Sequence, residues 1–223
     1  MLVAGVDDAG RGPVIGPMVI AIAAMEEIKL KELKKLGVRD SKLLSPKQRR
    51  VLFKKIKRIA KTDFVLIQPK EIDRYLSTDG KNLNLLEAKS MAFLISKVKP
   101  GKVIIDCPSP NTKKFKELIE RLINVECEVI AEHKADARFP IVGAASIIAK
   151  VVRDGEIERI KKRIGYDFGS GYSSDPRTVK FLKEYWREHP DIFRKEWISY
   201  KMVKEKASQV TLSKFFEEND QDK

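Results

Sequence analysis

The sequence predicts an α/β domain built on a mixed five-stranded sheet that is flanked by helices. The chain has 223 residues, 43% of them hydrophobic, which is enough for one substantial core. Short apolar segments alternate with segments of helical period in the order β-β-α-β-α-β-α-β. Two adjacent strands followed by strand–helix alternation are typical of a layered α/β domain with a mixed sheet.

The strands are predicted where apolar and β-branched side chains predominate: residues 2–6, 14–24, 64–67, 103–105 and 125–129. Gly-Pro pairs predict turns at 12–13, before the second segment, and at 16–17, near its start, so the first two segments resemble a hairpin. In the last segment Val125, Cys127 and Val129 alternate with glutamates, as in a half-exposed strand.

The helices are predicted from capping residues and from apolar residues at helical spacing. One helix begins at Ser45, because Pro46 and Gln48 complete a capping box with a first-turn proline. Another is predicted to begin at Asn84, with Glu87 as the capping-box residue three positions later. The apolar positions are Leu52, Phe53, Ile56 and Ile59 in the first, Leu85, Ala88, Met91, Ala92 and Ile95 in the second, and Phe115, Leu118, Ile119 and Leu122 in a third.

Beyond Tyr166 the chain becomes helical, basic and aromatic, with Asp175 and Pro176 at the start of a helix. We expect three regions: a main α/β domain over 1–165, a helical C-terminal appendage over 166–207, and a flexible tail over 208–223.

The chain is strongly basic, with a formal net charge of +13, which favours a polyanionic partner such as nucleic acid. A solvated basic surface from a heat-adapted source would also explain a charged content of 35%. Two cysteines, Cys107 and Cys127, are too few for a disulfide framework and indicate core residues in a reducing compartment. No apolar stretch reaches the roughly 18 residues that span a membrane, so we expect a cytoplasmic protein.

Acidic residues recur where predicted strands end. Asp7 and Asp8 follow the first strand, Asp106 closes the fourth, and Asp136 follows the fifth. Carboxylates at one sheet edge favour Mg²⁺ or Mn²⁺, and four of them suit two ions about 3.5–4 Å apart. Taken singly, Asp106 could cap a turn and Asp136 could be a solvated loop acid. Neighbours in a regular strand point to opposite faces, so Asp7 and Asp8 share a site only if the strand ends or bulges.

Five motifs occur in the order and approximate spacing of ribonuclease HII, the type 2 ribonuclease H, and most resemble its archaeal branch. They are Asp7-Asp8-Ala9-Gly10-Arg11-Gly12, Asp40-Ser41-Lys42, His133-Lys134-Ala135-Asp136, Ala144-Ala145-Ser146-Ile147-Ile148-Ala149-Lys150 and Gly169-Ser170-Gly171-Tyr172. The resemblance extends to about Trp197. It implies a ribonuclease H-like fold and metal-dependent endonucleolytic cleavage of the RNA strand in RNA–DNA hybrids. It also implies incision 5′ of single ribonucleotides in duplex DNA, with 3′-hydroxyl and 5′-phosphate ends, in ribonucleotide excision or primer removal.

The resemblance assigns roles to individual residues. Its metal-binding acids are Asp7, Asp8, Asp106 and Asp136, and its 2′-hydroxyl-reading loop is Gly10, Arg11 and Gly12. Tyr172 would pack against a sugar, and the appendage would complete a substrate groove lined by Lys42, Ser146, Lys150 and Arg194. Two departures stand out: Asp8 occupies a position where the family ordinarily has glutamate, and Ser173 replaces the usual proline.

The tail contains a second signal, with Gln209, Leu212, Phe215 and Phe216 at the spacing of the peptide that docks on the replication sliding clamp. The aromatic rings could instead fold back on the domain. Two other functions remain open: another nuclease of the ribonuclease H-like superfamily, and a non-catalytic nucleic-acid or clamp adaptor with a weakened site. We expect a monomer.

Overall fold

A computed structural model describes residues 1–38 and 44–220, with residues 210–220 as backbone only. A five-stranded sheet of order β3-β2-β1-β4-β5 forms its centre. The strands are β1 (Leu2–Ala9), β2 (Met18–Glu26), β3 (Lys61–Ile67), β4 (Lys102–Asp106) and β5 (Glu128–Glu132). The first pair is antiparallel and β1, β4 and β5 are parallel, which confirms the prediction of a mixed five-stranded sheet.

The parallel half of the sheet determines where the acids lie. In the β1–β4 register Val6 lies opposite Ile105, so Asp7 and Asp106 come next along neighbouring strands. In the same way Asp106 lies opposite Glu132 at the end of β5. The carboxyl ends of all three strands therefore meet at one sheet edge, where sites in α/β sheets usually form.

Helices cover both faces of the sheet. They are α1 (Leu30–Lys35), α2 (Pro46–Ile59), α3 (Pro69–Leu76), α4 (Leu83–Val98), α5 (Thr112–Leu122), α6 (Ala135–Arg138), α7 (Pro140–Ile164), α8 (Pro176–Tyr185) and α9 (Ile198–Asp220). The long α7 packs on one face with α1 and α2, and α3, α4 and α5 pack on the other. The capping box predicted for α2 at Ser45 and Gln48 is present.

Helix α7 approaches β1 closely enough to require a glycine. A Cβ added at Gly5 would collide with backbone atoms of Ile141 and Val142 in the first turn of α7. Both partners are backbone, so no side-chain rotation can relieve that collision. This contact fixes α7 against the strand that carries Asp7.

A third apolar cluster joins the C-terminal appendage to the connection between β1 and β2. Phe168, Phe181 and Phe193 pack with Val14 and Ile15 in this cluster. Ile15 also forms an isolated β-bridge with Phe193. The appendage is thereby packed directly against the glycine-rich connection that follows Asp8.

Several predicted boundaries are wrong. Strand β1 continues to Ala9 instead of ending at residue 6, and β3 begins at Lys61 rather than at residue 64. Strand β2 begins at Met18 rather than at residue 14, because Val14 and Ile15 donate their backbone N–H groups to Gly171 instead of to a strand. Helix α4 begins one residue before Asn84, with Asn82 as its N-cap. Strand β5 begins at Glu128 rather than at residue 125.

The three-region division stays a prediction; the last helix continues through Asp220, across the expected tail. Lys42 lies outside the described residues. Within the described part of the chain, every helix is too short or too polar to cross a membrane.

Gly5→Ala should lower the free energy of unfolding by about 3 kcal/mol, because the added methyl group has to displace backbone. The matched control is Gly155→Ala in α7, where nothing lies within 4 Å of an added Cβ. That change should raise stability by about 0.5–1 kcal/mol, since alanine favours a helix. Denaturant unfolding measures both. Equal effects of the two substitutions would contradict the close contact between α7 and β1.

Candidate active site

Three carboxylates converge at the sheet edge where β1, β4 and β5 end. Single oxygens of Asp7, Asp106 and Asp136 all lie within 4.8 Å of one another. Asp7 is 4% exposed and Asp136 is 3% exposed. Asp106 accepts a hydrogen bond of 2.8 Å from the backbone N–H of Ala135, which ties the end of β4 to the first turn of α6. The predicted clustering of these three acids is therefore present in the fold.

Burial and mutual repulsion make this cluster suited to a cation. Burial raises the pKa of Asp7 well above its ordinary value, and the carboxylates of Asp8 and Asp106 raise it further. A hydrogen bond with Ser146 and the charge of Lys150 oppose that rise only in part. Hard divalent ions take oxygen ligands of this kind, so the three residues fit such an ion.

Asp8 is not part of the three-acid cluster. Strand β1 continues through both residues in regular register, with Asp7 opposite Ala21 and Asp8 opposite Ile20. Successive side chains of a regular strand alternate between faces. Asp8 nevertheless lines the same cleft as the three acids, and the charge of Asp106 acts on it. Burial raises the pKa of Asp8 to about 6, and the charge of Arg11 opposes the rise. A metal-binding role for Asp8 stays a prediction.

The three acids of the cluster, together with Asp8, line a cleft of about 560 Å³. Six other residues of its lining bear on recognition of a substrate: Gly10, Arg11, Gly12, Lys150, Arg153 and Tyr172. The structure thus brings together the loop, the lysine and the tyrosine that the sequence motifs single out.

The loop of residues 10–12, hereafter loop 10–12, is held by hydrogen bonds from the appendage to its carbonyl oxygens. Arg194 is fully buried and donates hydrogen bonds to the carbonyl oxygens of Gly10 (2.6 Å) and Arg11 (2.9 Å). The indole N–H of Trp197 donates to the carbonyl of Gly12 at 2.9 Å. In a trans peptide the N–H points opposite to the C=O, so the N–H groups of Arg11 and Gly12 point away from Arg194. They remain available to a ligand in the cleft.

Two residues expected to line the groove lie behind it instead. Arg194 and Ser146 are both 0% exposed. Burial lowers the pKa of Arg194 to about 9, with the nearby charge of Arg153 contributing. Ser146 contacts Asp7 and accepts a hydrogen bond of 3.0 Å from Lys150. Because both side chains are sealed from solvent, they can influence a substrate only through the groups that they hold.

The side chain of Arg11 is held by two residues of α4 that sequence reasoning assigned to a helix cap. Its Nε donates to Glu87 at 2.9 Å, and its Nη2 donates to Asn84 at 2.7 Å. Glu87 is fully buried; burial raises its pKa to about 8, the carboxylate of Asp8 adds to the rise, and Arg11 opposes it. A glutamate four residues before Met91, on the apolar face of a helix, was the available signal for this role.

Tyr172 comes from the loop of residues 169–172, hereafter loop 169–172. Its ring would lie 3.7 Å from a Cβ added at Gly12, so the two loops meet at the cleft. The carbonyl of Gly171 accepts a hydrogen bond of 2.9 Å from the N–H of Val14. Tyr172 remains 38% exposed and can contact a ligand.

The chain is similar to known proteins over most of its length. The family model described as Ribonuclease HII matches residues 4–200. The chain belongs to the ribonuclease HII family. It is 45% identical to ribonuclease HII of Pyrococcus furiosus, over 97% of this chain and 99% of that one. It is therefore an endoribonuclease, a hydrolase of RNA–DNA hybrids that depends on a divalent metal.

Solved structures of ribonucleases HII have the same architecture. Ribonuclease H2 from Pyrococcus horikoshii superposes with a TM-score of 0.84 at 45% identity, covering 92% of this chain and 98% of that one. The ribonuclease HII in a complex with PCNA from Archaeoglobus fulgidus gives a TM-score of 0.81 at 40% identity, covering 88% and 95%.

Proposed function

We propose that this ribonuclease HII incises duplex DNA on the 5′ side of a single embedded ribonucleotide, in addition to cleaving longer hybrids, and leaves 3′-hydroxyl and 5′-phosphate ends. The observation that supports this proposal is the meeting of three groups in one cleft: the acid cluster, loop 10–12 and Tyr172. Such an enzyme would serve ribonucleotide excision and primer removal.

Asp7, Asp106 and Asp136 would hold the divalent metal, for which we propose two ions, Mg²⁺ or Mn²⁺. When bound, the metal supplies Lewis-acid stabilisation of the charge that develops on the phosphate. The protein's own part is to keep these carboxylates aligned. Lys150 donates a hydrogen bond to Ser146, which in turn contacts Asp7. Lys150 thereby adds positive charge to the wall of the cleft where the scissile phosphate would lie.

Loop 10–12 would recognise the ribonucleotide itself. The N–H groups of Arg11 and Gly12 point toward the open side of the loop and can donate to a 2′-hydroxyl oxygen or to the adjacent phosphate. Glu87 and Asn84 occupy the Nε and part of Nη2 of Arg11, so the guanidinium is oriented before a substrate arrives. The 2′-hydroxyl is the group that distinguishes RNA from DNA.

Tyr172 would pack against the neighbouring sugar. Its half-exposed ring next to Gly12 offers an apolar surface of suitable size. The net charge of +13 would supply attraction that is independent of sequence and sensitive to salt. Because the cleft is complete within one chain, we propose that the enzyme acts as a monomer in the cytoplasm.

A cleavage assay tests this function. The substrate is a duplex with one labelled ribonucleotide; its controls are the all-DNA duplex and the same duplex with a 2′-fluoro nucleotide in place of the ribonucleotide. We expect incision of the ribonucleotide duplex alone, 5′ of the ribose, in the presence of Mg²⁺ or Mn²⁺. Cleavage of long hybrids without incision at a single ribonucleotide would contradict the proposal, and no cleavage of either would indicate an adaptor.

We also propose that the C-terminal segment docks on a sliding clamp. The segment with Gln209, Leu212, Phe215 and Phe216 belongs to the C-terminal half of α9, whose first turns pack on the domain through Tyr200 and Val203. Burial of apolar side chains such as these in a preformed pocket of a partner favours binding. The similar ribonuclease HII from Archaeoglobus fulgidus forms a complex with PCNA, which supports this proposal.

The double substitution Phe215→Ala/Phe216→Ala should weaken clamp binding at least about 100-fold, because two hot-spot rings are lost. Calorimetry with the cognate clamp measures this change. The matched control is Phe93→Ala, an exposed ring on α4 that should leave clamp affinity unchanged. Cleavage of a short free duplex should be unaffected in both proteins. Equal loss in the control, or no affinity in the parent protein, would contradict docking through the tail.

A further inference from the structure

Arg153 of α7 contacts both loops that meet at the cleft. Its Nη2 donates to the carbonyl of Ser170 at 3.1 Å, and its guanidinium carbon lies 5.1 Å from the centre of the Tyr172 ring. On the other side, a Cβ added at Gly10 would lie only 2.6 Å from Cδ and Nε of Arg153. One side chain therefore fills the space between loop 10–12 and loop 169–172.

The environment of Arg153 is a poor one for a charge. The residue is 6% exposed, and its Nε makes no hydrogen bond within the described structure. Among the residues that the structure describes, no carboxylate lies within ion-pair distance of Arg153. Burial lowers the pKa of Arg153, the charge of Asp154 opposes this only from a distance, and Arg194 places a like charge nearby. Burying a charge that has no ion-pair partner costs free energy. Stability alone does not account for an arginine here.

We propose that Arg153 is a positioning residue, which sets the separation of loop 10–12 from Tyr172 and thereby the preference for a single ribonucleotide over a uniform hybrid. This inference rests on the proposed function, in which the loop and the tyrosine contact neighbouring sugars. A single ribonucleotide offers one 2′-hydroxyl, so both contacts have to form in one register. A uniform hybrid offers a 2′-hydroxyl at every step and tolerates a shifted register.

The test compares Arg153→Met with the wild-type enzyme on two duplexes, one with a single ribonucleotide and one uniform hybrid. The kcat/KM for the single ribonucleotide should fall at least about tenfold more than that for the hybrid, because misplacement of positioning groups is costly. The melting temperature should not fall. The matched control is Arg159→Met, an exposed arginine of the same helix, which should leave the preference unchanged.

A double-mutant cycle identifies the route. If Arg153 acts through Tyr172, adding Arg153→Met to Tyr172→Leu should reduce single-ribonucleotide cleavage little beyond Tyr172→Leu alone. Arg153→Lys, which retains the charge but not the planar fork, should show an intermediate preference. Equal losses on both duplexes, additive effects in the cycle, or a melting temperature lowered by Arg153→Met would each overturn the inference. Failure of the wild-type enzyme to incise the single ribonucleotide would instead overturn the proposed function.

Discussion

Repulsion among buried carboxylates is the constraint on which the rest of this structure depends. One carboxylate oxygen from each of Asp7, Asp106 and Asp136 lies within 4.8 Å of the other two at a sheet edge. Burial there raises the pKa of Asp7 well above its ordinary value. Such a cluster is unfavourable without a cation. The fold nevertheless holds it in place: the parallel register of β1 and β4 aligns two of the acids, and the tight contact of α7 at Gly5 fixes β1 on the face to which Asp7 points.

The appendage completes the site from behind. Arg194 and Trp197 bind the carbonyl oxygens of loop 10–12, so the loop presents its N–H groups outward. Glu87 fixes the side chain of Arg11 from α4. Recognition thus depends on buried donors and acceptors that never touch a substrate, which is the usual way in which binding groups are oriented before a ligand arrives.

The sequence predicted the sheet, the acid cluster and the loop, because strand composition and motif order are local signals. It could not predict the roles of Glu87 or Arg194, whose partners lie 76 and 183 residues away along the chain. Asn84 and Glu87 are three residues apart, which is the spacing of a capping box. That spacing alone does not show which residue begins the helix, and the N-cap is Asn82. The metal-binding role of Asp8 rests on the family resemblance and stays a prediction, because strand β1 continues through Asp8 without the bulge that would turn both carboxylates to one face.

Thermal unfolding of the wild-type protein and of Asp7→Asn measures how much the repulsion among these acids destabilises the fold. An acid whose pKa is raised on folding makes the protein less stable as the pH rises above its ordinary value of about 4. At pH 7 in a chelator, Asp7→Asn should therefore unfold at a higher temperature than the wild-type protein. Excess Mg²⁺ or Mn²⁺ should stabilise the wild-type protein and have little effect on Asp7→Asn. If the variant is instead less stable than the wild-type protein in chelator and equally stabilised by metal, then repulsion at Asp7 does not destabilise the fold and Asp7 does not hold the metal.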